Sequence, residues 1–312
     1  MNAVKNNLHN SRLFTLIVFI VYMVIWGYFP VVVKIGTQHT PPLLFAGTRF
    51  LLASGVLAIV VWIRRGKLSL TPGKHWRIFL SALALVGIPA SIYFVAAPHV
   101  QASIIILMWA PTPIFTTLFM TGSATGEARG WRLVVSLVAG MAGVLIVLMG
   151  GIPFVPGMGS DTFHFASGGI TLLSELAVLG SSVIYGLGMR LTKNINSSDM
   201  PLLTFTTWQL FYSGVSMTVL SLIFEHNFSL QFSWVTLWSF LFIVLIVTCM
   251  GYFLTFWLMR RIGAIRTAYV DFLSPGVTIV LSYFLLNESL TPAKIAGFLL
   301  VVLGCMLASI SY

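Results

Sequence analysis

Long apolar runs alternate with short polar segments along the whole chain. Ten stretches of roughly helical span length stand out, at 14–34, 43–63, 76–96, 99–120, 131–149, 168–190, 201–224, 234–258, 264–286 and 293–311. A hydrocarbon core of about 30 Å needs roughly 20 apolar residues of helix. Barrel strands would alternate polar and apolar positions over about ten residues, whereas these runs are continuous. The pattern predicts an all-α integral membrane chain of ten transmembrane helices. The first stretch follows Lys5 and Arg12, yet it is longer than a signal-peptide core and lacks a clear small-residue cleavage site. It reads as a retained helix.

Composition agrees. Of 312 residues, 58% are hydrophobic and 8% charged, against about 25% charged in a soluble domain. So little polar side chain cannot cover a water-facing surface, and lipid must be part of the solvent. The net charge of +10 does not indicate nucleic acid, because that would need Lys and Arg gathered on one face or arm. The basic residues instead sit between the apolar stretches. With the N-terminus inside, one side holds Lys5, Arg12, Arg64, Arg65, Lys67, Lys74, Arg77, Arg129, Arg132, Arg190, Lys193, Arg260, Arg261 and Arg266. The other holds only Lys34 and Lys294, and Arg49 lies within a span. The positive-inside rule then predicts both termini cytoplasmic. Cys249 and Cys305 fall in apolar stretches, where free Cys behaves as a small hydrophobe, so neither a disulfide nor a metal site is expected.

A shift of 159 residues lays the first helix pair on the sixth and seventh. Gly27 meets Gly186, Lys34 meets Lys193, and Pro42-Leu43-Leu44 meets Pro201-Leu202-Leu203. Thr48, Leu51, Ser54 and Gly55 meet Thr207, Leu210, Ser213 and Gly214. With small gaps, Tyr93-Phe94 meets Tyr252-Phe253, Trp109 meets Asp271, Pro113 meets Pro275, Glu127 meets Glu288, and Gly143 meets Gly304. The predicted organisation is a first five-helix repeat at 1–150, a Gly- and Pro-rich linker at 151–167, and a second repeat at 168–312. Five spans is an odd number, so the second half must enter the membrane from the opposite side. Inverted repeats place a substrate site near the midplane where the halves meet, and they are most at home in alternating-access transporters.

These pieces resemble the EamA-type family of the drug/metabolite transporter superfamily. The resemblance rests on WGYFPVVVKIG in the first stretch, PPLLFAGTRF opening the second, the Pro of the fourth followed by Gly126-Glu127, and the ending PGVTIVLSYFLLNESLTPAKIAGFLLVVLG. It covers nearly the whole chain. It implies ten helices, a central cavity with the fifth and tenth helices peripheral, and export of small metabolites, often amino acids or related compounds. One departure is Trp208, which stands where the second half would repeat Arg49.

An ionisable side chain inside a span costs about 2.5–3.5 kcal/mol on insertion scales and calls for an explanation. Arg49, Glu175 and Asp271 are the three that do. Arg49 and Glu175 lie at similar depth from the same side, which allows a structural ion pair, or snorkelling of each toward the headgroups. The alternative is substrate carboxylate binding at Arg49 and proton exchange at Glu175. Asp271 precedes Ser274-Pro275-Gly276, where the proline frees an upstream carbonyl. It faces either the cavity, as a substrate or proton-coupling group, or Arg266 one turn away. Pro111 and Pro113 in the fourth stretch, and Pro275 in the ninth, are the expected helix kinks. Trp26, Tyr93, Trp109, Tyr185 and Tyr252 are candidates for an aromatic cavity wall suited to amphipathic or cationic solutes, against ordinary packing or an interfacial belt. Glu127 and Glu288 are expected to cap the helices that follow them.

No metal-spaced Cys/His set, phosphate-cradling loop or nucleophile elbow occurs, so an enzyme is not expected and no cofactor is implied. The expected function is a secondary-active exporter of small metabolites in the cytoplasmic (inner) membrane. The rivals are an uncoupled facilitator or channel, an importer or exchanger, and, behind these, a membrane enzyme. The expected partners are a small-molecule substrate and lipid, with a homodimer compatible and nucleic acid not.

Overall fold

The computed structural model describes residues 2–37, 40–70, 72–120, 169–196, 200–225 and 234–309, with scattered positions between 135 and 146. Most of the predicted fifth stretch, the whole 151–167 linker and Glu127 lie outside the described residues.

Every regular element among the described residues is helical. In chain order they form α1 (Asn2–Gly36), α2 (Pro42–Ile63), α3 (Pro72–Ala82), a π-helix at Leu83–Gly87, α4 (Ile88–Ala96), α5 (Ala102–Trp109) and α6 (Thr112–Met120). There follow α7 (Gly169–Asn196), α8 (Leu202–Phe224), α9 (Trp234–Phe242), a second π-helix at Ile243–Gly251 and α10 (Tyr252–Ile262). The last are α11 (Ala264–Ala268), α12 (Val270–Leu286) and α13 (Pro292–Ser309). Several run end to end, so that eight helical rods among the described residues are long and apolar enough to cross a membrane, and Pro292–Gly304 adds a shorter apolar one.

Local sequence sets the ends. Pro41 and Pro201 are extended (ψ 124° and 136°) and launch α2 and α8, as expected for prolines at a helix start. Asn287 adopts the left-handed conformation at φ 53° and stops α12, a role Asn fills because its short polar side chain tolerates that region. The outer surface carries Trp62, Trp234 and Phe284, each more than 70% exposed. Such a surface would drive aggregation in water and suits lipid.

Inside, α2 packs along α8, α1 along α12, and α7 against α4 and α6. Two glycines allow the closest approaches. A Cβ on Gly27 would lie 2.5 Å from Val277 Cβ, and one on Gly186 would lie 2.9 Å from the Phe115 backbone. Small residues bring helices this near when lipid gives no hydrophobic drive for association. Gly143, one of the described positions of the fifth stretch, likewise lies against the Gly297 carbonyl of α13.

Glu288 departs from expectation. Its carboxylate does not cap the following helix, whose start is held by Thr291 accepting from the Lys294 N–H at 3.4 Å. It caps α5 instead, accepting the Ala102 N–H at 2.7 Å and the Ser103 N–H at 3.1 Å. The reversal at Asn287 and the cap at Thr291 leave the glutamate spare for a helix distant in sequence. Glu225 acts in the same way on α2, accepting the Leu43 and Leu44 N–H groups at 2.7 and 2.9 Å.

Candidate functional site

A cavity opens where α1, α2, α4, α5, α7, α10 and α12 converge. Its walls include Trp26 and Phe29 of α1, Arg49 of α2, and Leu85, Val86, Pro89, Ala90 and Tyr93 of the π-helix and α4. Ile106 and Trp109 of α5, Tyr185 of α7, Tyr252 of α10, and Asp271 and Ser274 of α12 complete it. The cavity is small, about 40 Å³. A water needs about 10–15 Å³ of such space, so the cavity holds a few waters and a larger solute requires the walls to part.

The rings form a chain around this space. Tyr185 meets Trp109 at 5.1 Å between centroids, Trp109 meets Tyr93 at 6.0 Å, and Tyr93 meets Phe29 at 5.2 Å. Phe29 meets Trp26 at 5.4 Å, and Trp26 meets Tyr252 at 5.4 Å. Most contacts are edge-to-face, the arrangement ring quadrupoles prefer.

Arg49 is 1% exposed. Its guanidinium carbon sits 4.3, 4.5 and 5.0 Å from the ring centroids of Phe50, Phe94 and Phe29. The cation therefore meets ring faces where equal depth had allowed Glu175. Ring faces hold the group in place without neutralising it or filling its hydrogen bonds. Its Nε and Nη1 have no hydrogen-bond partner among the described residues, and neither do the Tyr93 hydroxyl and Ser274 Oγ in the same wall.

Asp271 is 8% exposed and turns into the cavity, while Arg266, the alternative partner, is exposed on the far side of the helix break. The Trp109 indole and the hydroxyls of Tyr22, Tyr185 and Tyr252 lie within electrostatic reach of its carboxylate. Repeat-matched Trp109 and Asp271 thus share one cavity. Glu175 is fully buried on α7 but is not among the cavity residues.

The expected kinks are placed unequally. The chain leaves the helix at Ala110-Pro111, and Pro113 sits in the first turn of α6. In the ninth stretch the break falls at Tyr269, and α12 runs on through Pro275. The first π-helix contributes Leu85 and Val86 to the cavity wall, and the second ends at Gly251, next to the lining residue Tyr252, consistent with π-turns at functional positions.

The structure places Trp26, Arg49, Tyr93, Trp109, Tyr185, Tyr252 and Asp271 together in the wall of this cavity. Phe29, Leu85, Val86, Pro89, Ala90, Ile106 and Ser274 were not anticipated. All but Leu85 and Val86, which belong to the π-helix, lie three or four positions from an anticipated residue and so on the same helix face, a signal that extending the helical period would have caught. Among the described residues no group of three His, Cys, Asp or Glu side chains could hold a metal.

The sequence profile of the EamA-like transporter family matches residues 13–149 and again residues 172–310. The chain belongs to the EamA-like transporter family. Its relatives agree along nearly their full lengths. The "Uncharacterized transporter YvbV" of Bacillus subtilis (strain 168) is 28% identical, covering 97% of this chain and 93% of that one. The "Probable amino-acid metabolite efflux pump" of Salmonella typhimurium (strain LT2) is 25% identical, covering 90% of each. A solved structure described as "Crystal structure of protein" shares the fold at a TM-score of 0.67 and 14% identity, covering 95% of this chain and 96% of that one. This EamA-like chain is therefore a multi-pass membrane transporter rather than an enzyme, and its cavity is the candidate solute site.

Proposed function

We propose that the chain is a secondary-active exporter of amino acids or closely related zwitterions, working by alternating access in the cytoplasmic membrane. The observation that carries this is the pairing of one buried cation and one buried carboxylate in a single aromatic-walled cavity. Arg49, Tyr93 and Ser274 offer unfilled donors to a carboxylate. Asp271 and the faces of Trp109, Tyr185 and Tyr252 suit an ammonium group. A channel has little use for such an arrangement, because tight complementary groups slow exit.

Two inverted five-helix halves, 1–150 and 168–312 joined by 151–167, provide the moving parts, with ten spans and both termini cytoplasmic. Matched features support this reading. Gly27 of α1 lies against Val277 of α12, and Gly186 of α7 lies against Phe115 of α6. Under the repeat, Gly27 corresponds to Gly186 and Phe115 to Val277. The two π-helices also fall at matched positions. Proton exchange at Asp271, or at Glu175 outside the cavity, supplies the drive.

The test is metabolite profiling of medium from cells overproducing the chain, against Asp271→Asn and empty-vector cells. Release of amino-acid-like solutes by the parent alone supports export. Equal release from all three contradicts it. Export without uphill accumulation in vesicles would favour the uncoupled facilitator.

A further inference from the structure

The cavity has two ends, and among the described residues they are fastened differently. At the end where Lys34 and Lys294 lie, Glu288 grips the first turn of α5. It accepts the Ala102 N–H at 2.7 Å, the Ser103 N–H at 3.1 Å and the Ser103 hydroxyl at 2.5 Å. Around it, Lys34 donates to the Val100 carbonyl at 2.5 Å, and Lys294 donates to Gln101 Oε1 at 2.6 Å and the Ser289 carbonyl at 2.7 Å. Both ammonium groups are in electrostatic reach of the Glu288 carboxylate. Glu288 and Lys294 are 9% and 4% exposed. Residues 100–103 are thus held by the end of α1 and by the corner between α12 and α13.

At the opposite end, bonds between neutral groups join the two halves among the described residues. Thr204 donates to the Lys67 carbonyl at 3.0 Å and Trp208 to the Leu68 carbonyl at 2.8 Å, and His75 meets the Tyr212 hydroxyl at 2.6 Å. Carboxylate-to-amide bonds are roughly twice as strong as bonds between neutral groups.

What Glu288 grips is a short lever. The helix α5 runs only from Ala102 to Trp109, stops at the Ala110-Pro111 break, and carries Ile106 and Trp109 into the cavity wall. Holding its first turn therefore fixes Trp109. The Glu225 cap at the same end is different, because it fastens α2, an unbroken helix already packed along α8.

We infer that Glu288 is the latch of the gate at the Lys34/Lys294 end: its carboxylate holds the start of α5 on the α12–α13 corner while that end is shut, and opening there breaks these bonds. This rests on the alternating-access reading. The charge distribution makes this the outer gate, so Glu288 governs release of an exported solute.

The test uses the full chain in membrane vesicles of both orientations, with Cys249→Ala and Cys305→Ala removing the native thiols. Ala90→Cys places a reporter in the cavity wall, and a membrane-impermeant maleimide reads its accessibility without any substrate. Glu288→Gln is expected to raise labelling from the outer side roughly tenfold, the factor that one charge-assisted hydrogen bond commands. Labelling from the inner side should fall. Unchanged outer labelling overturns the latch, and so does an equal rise on both sides, which signals a loosened bundle. Should Glu288→Gln not fold, Lys294→Gln and Ser103→Ala each weaken the same grip. Both must then shift labelling in the same sense by less, and no shift in either overturns the proposal. Failure here with metabolite export intact removes the latch and leaves the exporter reading standing.

Discussion

Arg49 keeps its charge in the bundle by leaning on three rings rather than on an acid. Each such contact is worth up to about 2 kcal/mol when desolvated, and the donors left over define its use. Lysine cannot reproduce the planar fork. Arg49→Lys is expected to raise KM for an exported zwitterion roughly ten- to a hundredfold, the cost of about 1.5–3 kcal/mol for a hydrogen bond to a charged group. Uptake kinetics in inverted vesicles check this, and an unchanged KM would separate Arg49 from the solute. Asp271→Asn should abolish accumulation driven by a pH gradient while leaving solute counterflow measurable, if Asp271 carries the coupling proton. Loss of both would mark it as a solute ligand alone. The charged residues of the site were legible because an ion in a span is costly anywhere. The partners of Arg49 were not, because Phe29, Phe50 and Phe94 come from three helices and look like ordinary core in one dimension.

The elements show where helices were broken and where they were not. Pro111 interrupts the fourth span as a missing donor and ring clash require, yet α12 continues through Pro275 and the break falls at Tyr269. A helix can absorb a proline when its freed carbonyl is met or faces a polar space, which the local sequence does not record. Restoring the donor with Pro111→Ala should stabilise the span by up to about 3 kcal/mol and slow transport, as read by thermal unfolding in detergent alongside solute flux. Faster transport would argue against a hinge. Close packing gives a second prediction. Gly186→Ala forces a Cβ to within 2.9 Å of the Phe115 and Thr116 backbone, whereas Gly180 faces open space. The first substitution is expected to cost about 1–3 kcal/mol. Gly180→Ala should be neutral or gain up to about 1 kcal/mol of helix propensity, and thermal unfolding of the pair distinguishes packing from propensity. The π-helices gave no sequence signal, since the same apolar residues serve α- and π-registers.

For the whole molecule, the distribution of Lys and Arg makes a topological prediction. Lys67→Cys and His99→Cys, both at exposed positions, should label with an impermeant thiol reagent from opposite sides, Lys67→Cys from the cytoplasm. Labelling from the same side would end the inverted arrangement. The sequence by itself determined that this chain lives in lipid, that its spans are helices, and that its halves share a pattern, because hydrophobic length, charge placement and repeated residues are all local in the chain. It also named the ions and aromatics of the cavity, since polar groups are rare enough in spans to stand out. Tertiary structure alone decided that Arg49 rests on rings, that Glu288 and Glu225 cap helices far away in the sequence, and that, among the described residues, the two ends of the cavity are fastened by different chemistry. Those are pairings between distant segments, and the free energy of a pairing belongs to the distance and burial of two groups together, which neither group's sequence neighbourhood contains.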